Sequence, residues 1–364
     1  MVLTRSAAKS LRSIVRWLPN EVLSLILCQT PQQDLITLCR TSRLMHNLAT
    51  PVLYHSIVLC SDVQIALFVK TMEIQVAAAR LVRYVRRIAF SDPAWDFVLT
   101  LLPTLVKRLL AVLRLLNQLE SLDFGPFTHR RFTDFLEHAH FPNLLKFSHL
   151  VEYADTSITS FVQRHHTLTD LTLPTTFGQN TQVGSCVLDL PCLQFFCGPV
   201  SALSALKINT DCFIEQVALI FASADLALDD GLRLLSLVVE LQRIVFLPTT
   251  MVLDLELLEA VAVHLPRVEH IFIERKLSPS LTPSITRDNA PSFVPNLRKF
   301  PELSFLSFNN EPCDPLEHHH LETMSLWTSA CKTLCAFKFN GNLWGREPVN
   351  GTLLHLSTFD SVDS

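Results

Sequence analysis

A short phrase, apolar–Pro–x–[Leu/Val], recurs at Leu102-Pro103, Phe141-Pro142, Leu190-Pro191, Leu265-Pro266, Val294-Pro295 and Phe300-Pro301. Random placement of the chain's prolines would give roughly two such phrases, so the recurrence constrains the fold. Proline cannot continue a helix, and it pushes the residue before it out of the helical region. In three cases the phrase runs straight into apolar residues spaced for a strand: Phe141-Pro142-Asn143-Leu144, Leu265-Pro266-Arg267-Val268 and Phe300-Pro301-Glu302-Leu303. The reading is helix, proline stop, strand, repeated.

The apolar spacing itself is apolar-x-x-apolar-x-apolar. It occurs as Val85/Ile88/Phe90, Leu119/Leu122/Phe124, Leu168/Leu171/Leu173, Leu203/Leu206/Ile208, Leu232/Leu235/Leu237, Val268/Ile271/Ile273, Leu303/Leu306/Phe308 and Leu334/Phe337/Phe339. Leu144/Phe147 begins a further copy that breaks at His149. Alone this template proves little. With about 40% of residues qualifying, roughly one window in fifteen would match by chance. Joined to the prolines, it resembles a leucine-rich repeat. That resemblance implies units that stack to share one core, forming an irregular α/β solenoid over 59–364. The family's Asn, three residues after the last template position, occurs only at Asn342. The turns are therefore expected to be irregular. The other reading is a single mixed α/β domain whose strands are alike by coincidence.

Residues 17–58 have a different texture. Pro19 suits a helix start, Glu21 suits the positive end of its dipole, and Val22, Leu25 and Ile26 make an apolar stripe. A second helix opens at Thr30-Pro31-Gln32-Gln33, with Thr30 as cap and Gln33 closing a capping box. Leu35, Leu38 and Cys39 supply its apolar face. A third helical stretch, Ser42–Thr50, is expected to stop before Pro51, ahead of the β-type run Ile57-Val58-Leu59. Three such helices are either a small domain that needs a partner, or the first helices of a larger one.

Leu18-Pro19-x-Glu21-Val22-Leu23-x-x-Ile26-Leu27, then Asp34-Leu35-x-x-Leu38-Cys39-Arg40-x-Ser42-Arg43, then Leu53-Tyr54, resembles an F-box in order and spacing. Many F-boxes carry Trp where this chain has Leu44 or Met45, and long fungal members often lack it. The resemblance implies binding to the Skp adaptor of an SCF-type ubiquitin ligase, and through it to the cullin scaffold. Leu18, Pro19, Glu21, Val22, Ile26, Leu35 and Leu38 are carried over as adaptor-binding or surface-shaping positions. It also implies a C-terminal region that presents an unidentified protein target, and no active site in the chain. A repeat scaffold without ligase association is the alternative.

Composition narrows the other classes. The chain has no GxGxxG and no GxxxxGK[ST], and a net charge of -4 gives no basic excess for nucleic acid. The first 20 residues hold Arg5, Lys9, Arg12 and Arg16 and no acid, a basic tail over residues 1–16 or a transit segment. No secretory or membrane-spanning stretch is read, so the ten cysteines are expected to be reduced in a cytoplasmic or nuclear protein. Cys186, Cys192 and Cys197, and Cys313, His318, His319, His320, Cys331 and Cys335, lie close in sequence. None forms a CxxC pair, so no metal and no cofactor are expected. Arg80, Arg83, Arg86 and Arg87 read as a solvated helix face entering the strand at Ile88, or as a patch for an acidic partner. Loops over Leu173–Asp189, Leu277–Pro295 and Asn309–Pro315 interrupt the repeat.

Overall fold

The computed structural model describes residues 18–74, 80–90, 103–125, 131–150, 155–174, 177, 187–208, 212–221, 227–248, 254–274, 290–309, 317–339, 342–346 and 353–356. They fall into two compact units, one ending at Leu145 and one beginning at Lys146. Most of Leu173–Asp189, 277–289 and 310–315 lie outside the described residues, as do residues 1–17.

The first unit begins with α1 (Asn20–Cys28), α2 (Gln32–Leu38) and α3 (Arg43–His55). Then come β1 (Ser56–Leu59), α4 (Asp62–Glu73), β2 (Arg87–Phe90), α5 (Pro103–Leu113), β3 (Ser121–Asp123) and α6 (Arg131–His138). β1, β2 and β3 pair in parallel, with Ile57 opposite Ile88 and Ile88 opposite Leu122. Gly125 closes this strand layer with φ +49, and a Cβ there would stand 2.2 Å from the Phe90 carbonyl oxygen. Only glycine fits both the backbone and the contact.

The second unit holds β4 (Lys146–Ser148), α7 (Asp155–Gln163), β5 (Asp170–Thr172), β6 (Phe195–Pro199), a 3-10 turn (Val200–Ala205), β7 (Gln216–Phe221) and α8 (Ala227–Leu235). It continues through β8 (Arg243–Pro248), α9 (Asp254–His264), β9 (His270–Glu274), α10 (Val294–Leu297), β10 (Phe305–Asn309), α11 (Glu317–Ala330) and β11 (Ala336–Phe339). β12 (Asn342–Arg346) and β13 (Leu353–Leu356) follow. β4 to β11 pair in parallel in chain order, and β12 and β13 close the sheet antiparallel. Parallel neighbours need crossovers, and the helices supply most of them.

The register lines up one side chain per strand. Phe147, Leu171, Phe196, Val217, Ile244, Ile271, Leu306 and Phe337 stand opposite one another in succession. All eight are buried. These are the middle positions of the apolar template, but two of its frames are corrected. Leu203 sits in the 3-10 turn, while Leu206 makes only an isolated bridge to Leu188. Leu232 and Leu235 lie in α8. The strands there use Leu193/Phe196/Gly198, Ile214/Val217/Leu219 and Leu241/Ile244/Phe246. So apolar a chain matches the template out of frame as easily as in frame.

The prolines mark a turn more than a helix stop. At Pro142, Pro191, Pro266 and Pro301 the strand begins four residues later, at Lys146, Phe195, His270 and Phe305. The residue before each proline is buried: Phe141, Leu190, Leu265 and Phe300. Its carbonyl accepts the N–H of the first template residue, as in Leu144 to Phe141 at 3.1 Å, Leu193 to Leu190 at 3.2 Å and Val268 to Leu265 at 3.3 Å. Proline favours the second position of such a turn because its φ is already set. The same bond closes turns without proline, Leu119 to Leu116 and Leu334 to Cys331. Pro103 and Pro295 instead lie in the first turn of α5 and α10.

His149 does not break the repeat. It occupies the third template position, 2% exposed, and its backbone N–H donates to the Thr172 carbonyl at 3.1 Å. Burial pushes its imidazole from the ordinary 6.5 down to about 4. Between those values the unfolded chain binds a proton that the folded chain refuses. Stability from this group is therefore complete above about pH 6.5 and falls as the pH drops toward 4, by on the order of 3 kcal/mol. Urea unfolding measured across that range should show the loss, and His149→Leu should flatten it. In the same assay, Ile244→Ala should cost roughly 2–5 kcal/mol. Leu237→Ala, at an exposed position, should stay within about 0.5 kcal/mol.

Candidate functional site

The first three helices cover little of what they carry. α1 starts after Pro19, whose extended backbone (φ -56, ψ 148) places it at the cap and outside the helix. Leu23 and Leu27 are buried. Leu27 joins Leu35 of α2 and Ala49 of α3 in a small core, with Leu38, Cys39, Leu48, Val52 and Leu53 packed around it. A core this small cannot take every apolar residue of three helices.

The others stay outside. Val22, Leu25 and Ile26 on α1 are 38%, 68% and 53% exposed. Ile36 on α2 and Leu44 on α3 are exposed as well. Burying a side chain such as Leu or Ile fully would contribute about 1.5–3 kcal/mol, which the exposed stripe Val22-Leu25-Ile26 leaves unrealised. α1 thus has two apolar sides, one facing its own core and one facing solvent.

Two expected helix boundaries change. α2 is capped by Pro31, without a side-chain hydrogen bond, and the Thr30 hydroxyl donates back to the Ile26 carbonyl at 2.8 Å. That hydroxyl serves the end of α1, so the expected capping box does not form. α3 runs through Pro51 to His55. An interior proline costs a helix about 3 kcal/mol, and the packing of Val52 and Leu53 on the Leu27 core offsets it. Ser42 caps α3 by accepting the Met45 N–H at 3.2 Å.

The sequence-derived positions separate cleanly. Val22 and Ile26 lie on the outward stripe, with Pro19 and Glu21 exposed beside them. Leu18 and Leu38 are half-buried, and Leu35 is buried in the helical core. Leu35 therefore shapes the surface from beneath and does not form it. Leu25, which its i+3 relation to Val22 places on the stripe but which is not among the carried-over adaptor positions, is the most exposed member. Cys28, Gln32, Leu35, Pro51, Leu53 and Val58 line part of a pocket of about 620 Å³ at the open end of these helices.

Among the described residues the other chemistry candidates do not assemble. Among the described residues no three His, Cys, Asp or Glu side chains converge on a metal-sized site. Cys331 and Cys335 flank the turn before β11, not one helix face. Cys186 and Cys313 lie outside the described residues. In the arginine cluster, Arg86 bonds Gln118 at 2.8 Å and pairs with Glu120 at 3.3 Å, and Arg80 donates to Asn47 at 3.0 Å. Among the described residues no helix is long and apolar enough to cross a membrane.

Residues 15–92 match the family model of the COS11 F-box domain. The N-terminal helices, with β1, α4 and β2, therefore carry an F-box, and F-box domains bind Skp adaptors in SCF complexes. No curated protein matches the chain at a significant level. The two sides of α1 should respond differently to mutation. Leu27→Ala should lower unfolding stability by roughly 2–4 kcal/mol, whereas Leu25→Ser should change it by less than about 0.5 kcal/mol. Thermal melts of the two variants against wild type read the difference.

Proposed function

We propose that the chain is the substrate-recognition subunit of an SCF-type ubiquitin ligase. The outward stripe Val22, Leu25 and Ile26 docks on the Skp adaptor, with Pro19 and Glu21 at its margin. The adaptor connects the chain to the cullin scaffold. The C-terminal unit holds a protein target. No step of bond chemistry is assigned to this chain. Its contribution is proximity, which converts ubiquitin transfer to the target from a bimolecular encounter into one within a complex.

The observation that carries this reading is an apolar stripe left exposed inside the segment that matches an F-box. The C-terminal unit is read as a degenerate leucine-rich-repeat-like solenoid. The one-per-strand register and the recurring turn support that reading. In place of an asparagine ladder, backbone carbonyls run from repeat to repeat. Gln194 accepts from Glu215 at 2.9 Å, Glu215 from Gln242 at 3.0 Å, Gln242 from Glu269 at 2.9 Å and Glu269 from Ser304 at 2.8 Å. The setting in this reading is the cytoplasm or nucleus, where thiols stay reduced.

The test is co-expression of the full chain with a Skp adaptor, followed by affinity recovery. Wild type should retain the adaptor. Leu25→Asp/Ile26→Asp should lower recovery at least about tenfold, because a charge in a buried interface centre costs upward of 2 kcal/mol. Leu18→Ala/Pro19→Ala should lower it less. Equal recovery by all three would overturn the proposal in favour of a scaffold outside the ligase.

A further inference from the structure

The sheet face opposite the buried row of the C-terminal unit carries a cation without a counter-charge among the described residues. Across β6 to β10 the half-buried residues Phe195, Gln216, Arg243, His270 and Phe305 stand in register. Two residues further along, Val245 is opposite Phe272. The Arg243 guanidinium lies over the Phe272 ring, 4.1 Å from its centroid. Phe272 in turn packs on Phe305 at 4.9 Å, and His270 meets Phe305 edge-on at 6.2 Å. The Arg243 Nε is buried with no hydrogen-bond partner, and no described acid pairs with this arginine.

The other charges on this face do not complete it. Lys146 and Asp170 neutralise each other at 2.8 Å on β4 and β5. Lys338 lies on β11, beyond β9 and β10, and Glu274 closes β9 at its far end. A guanidinium stacked on an aromatic ring has shed part of its water, and the quadrupole of the ring replaces only some of that interaction. An anion arriving from the open side would form charge-assisted hydrogen bonds in a poorly hydrated setting. One central cation among aromatic rings matches one carboxylate. It does not match a polyanion such as nucleic acid, which needs many cations.

We propose that the Arg243–Phe272–Phe305 surface docks an extended protein segment bearing one Asp or Glu carboxylate beside apolar side chains. The carboxylate engages the Arg243 guanidinium, and the apolar neighbours lie on Phe272, Phe305 and Val245. This deepens the adaptor reading, since it names the chemistry of the target held by the C-terminal unit.

The experiment uses the labelled full chain and four bead-bound nonapeptide libraries, degenerate except for a central Glu, Gln, Lys or phosphoserine. Wild type should be captured by the Glu library at least about tenfold more than by the Gln or Lys library, the scale of one charge-assisted pair. Raising salt from ~0.05 M to ~0.5 M should weaken that capture. Arg243→Gln keeps a planar end but no charge, and should bring the Glu and Gln libraries within about twofold, with a melting curve like that of wild type. Phe272→Leu should weaken capture by all libraries. Equal capture, absent capture, salt-insensitive capture, phosphoserine capture above Glu, or a Glu preference that survives Arg243→Gln would each overturn the proposal. Adaptor recovery measured on the same samples separates the two readings. Arg243→Gln should retain the adaptor, and Leu25→Asp/Ile26→Asp should retain the Glu preference.

Discussion

A parallel strand of three to six residues cannot stand alone. Half of its backbone hydrogen bonds and one face of its side chains must be completed by the strands beside it. Everything else in the C-terminal unit follows from that constraint. Phe147, Leu171, Phe196, Val217, Ile244, Ile271, Leu306 and Phe337 are buried because each is covered by its counterpart on the next strand and by the helix layer. A one-residue slip would exchange the buried row with the Arg243–His270–Phe305 row, so the register is strongly specified. The turns before β5, β6, β9 and β11 reinforce it, because the same carbonyl bond is remade at the same place in each.

The F-box obeys an opposite economy. Its core is Leu27, Leu35 and Ala49 with a half-buried rim, too small to occupy the apolar residues of three helices. The surplus stays on the outside of α1 as Val22, Leu25 and Ile26. In the proposed reading this surplus is the means of attachment to the adaptor.

Several parts were legible in the residues. The F-box spacing, the strand at Ile57-Val58-Leu59 and the alternation of helix and strand can all be read from the chain. So can the strand entries after Pro142, Pro266 and Pro301, because proline leaves a fixed mark at a fixed distance from the strand. Other parts were not. The frames Leu203/Leu206/Ile208 and Leu232/Leu235/Leu237 satisfied the same pattern as true strands, and only packing distinguished them. The helix through Pro51 was hidden for a related reason: local chemistry forbids it, and contacts from Val52 and Leu53 to a core built elsewhere outweigh the objection. His149 looked like an interruption because a titratable ring is a poor core residue, yet the ladder position fixes its burial.

By itself, the sequence determined which kinds of element form and roughly where they start, since φ restrictions at proline and apolar periodicity act over a few residues. It also placed the F-box, whose signal is local order and spacing. Tertiary structure alone decided which apolar side of α1 is spent on the core and which remains exposed, because that choice depends on what Leu35 and Ala49 bring to meet it. It alone placed Arg243 over Phe272, residues 29 positions apart in the chain and brought together by the register of two strands. Local rules set the pieces; only their stacking sets which side chains face outward.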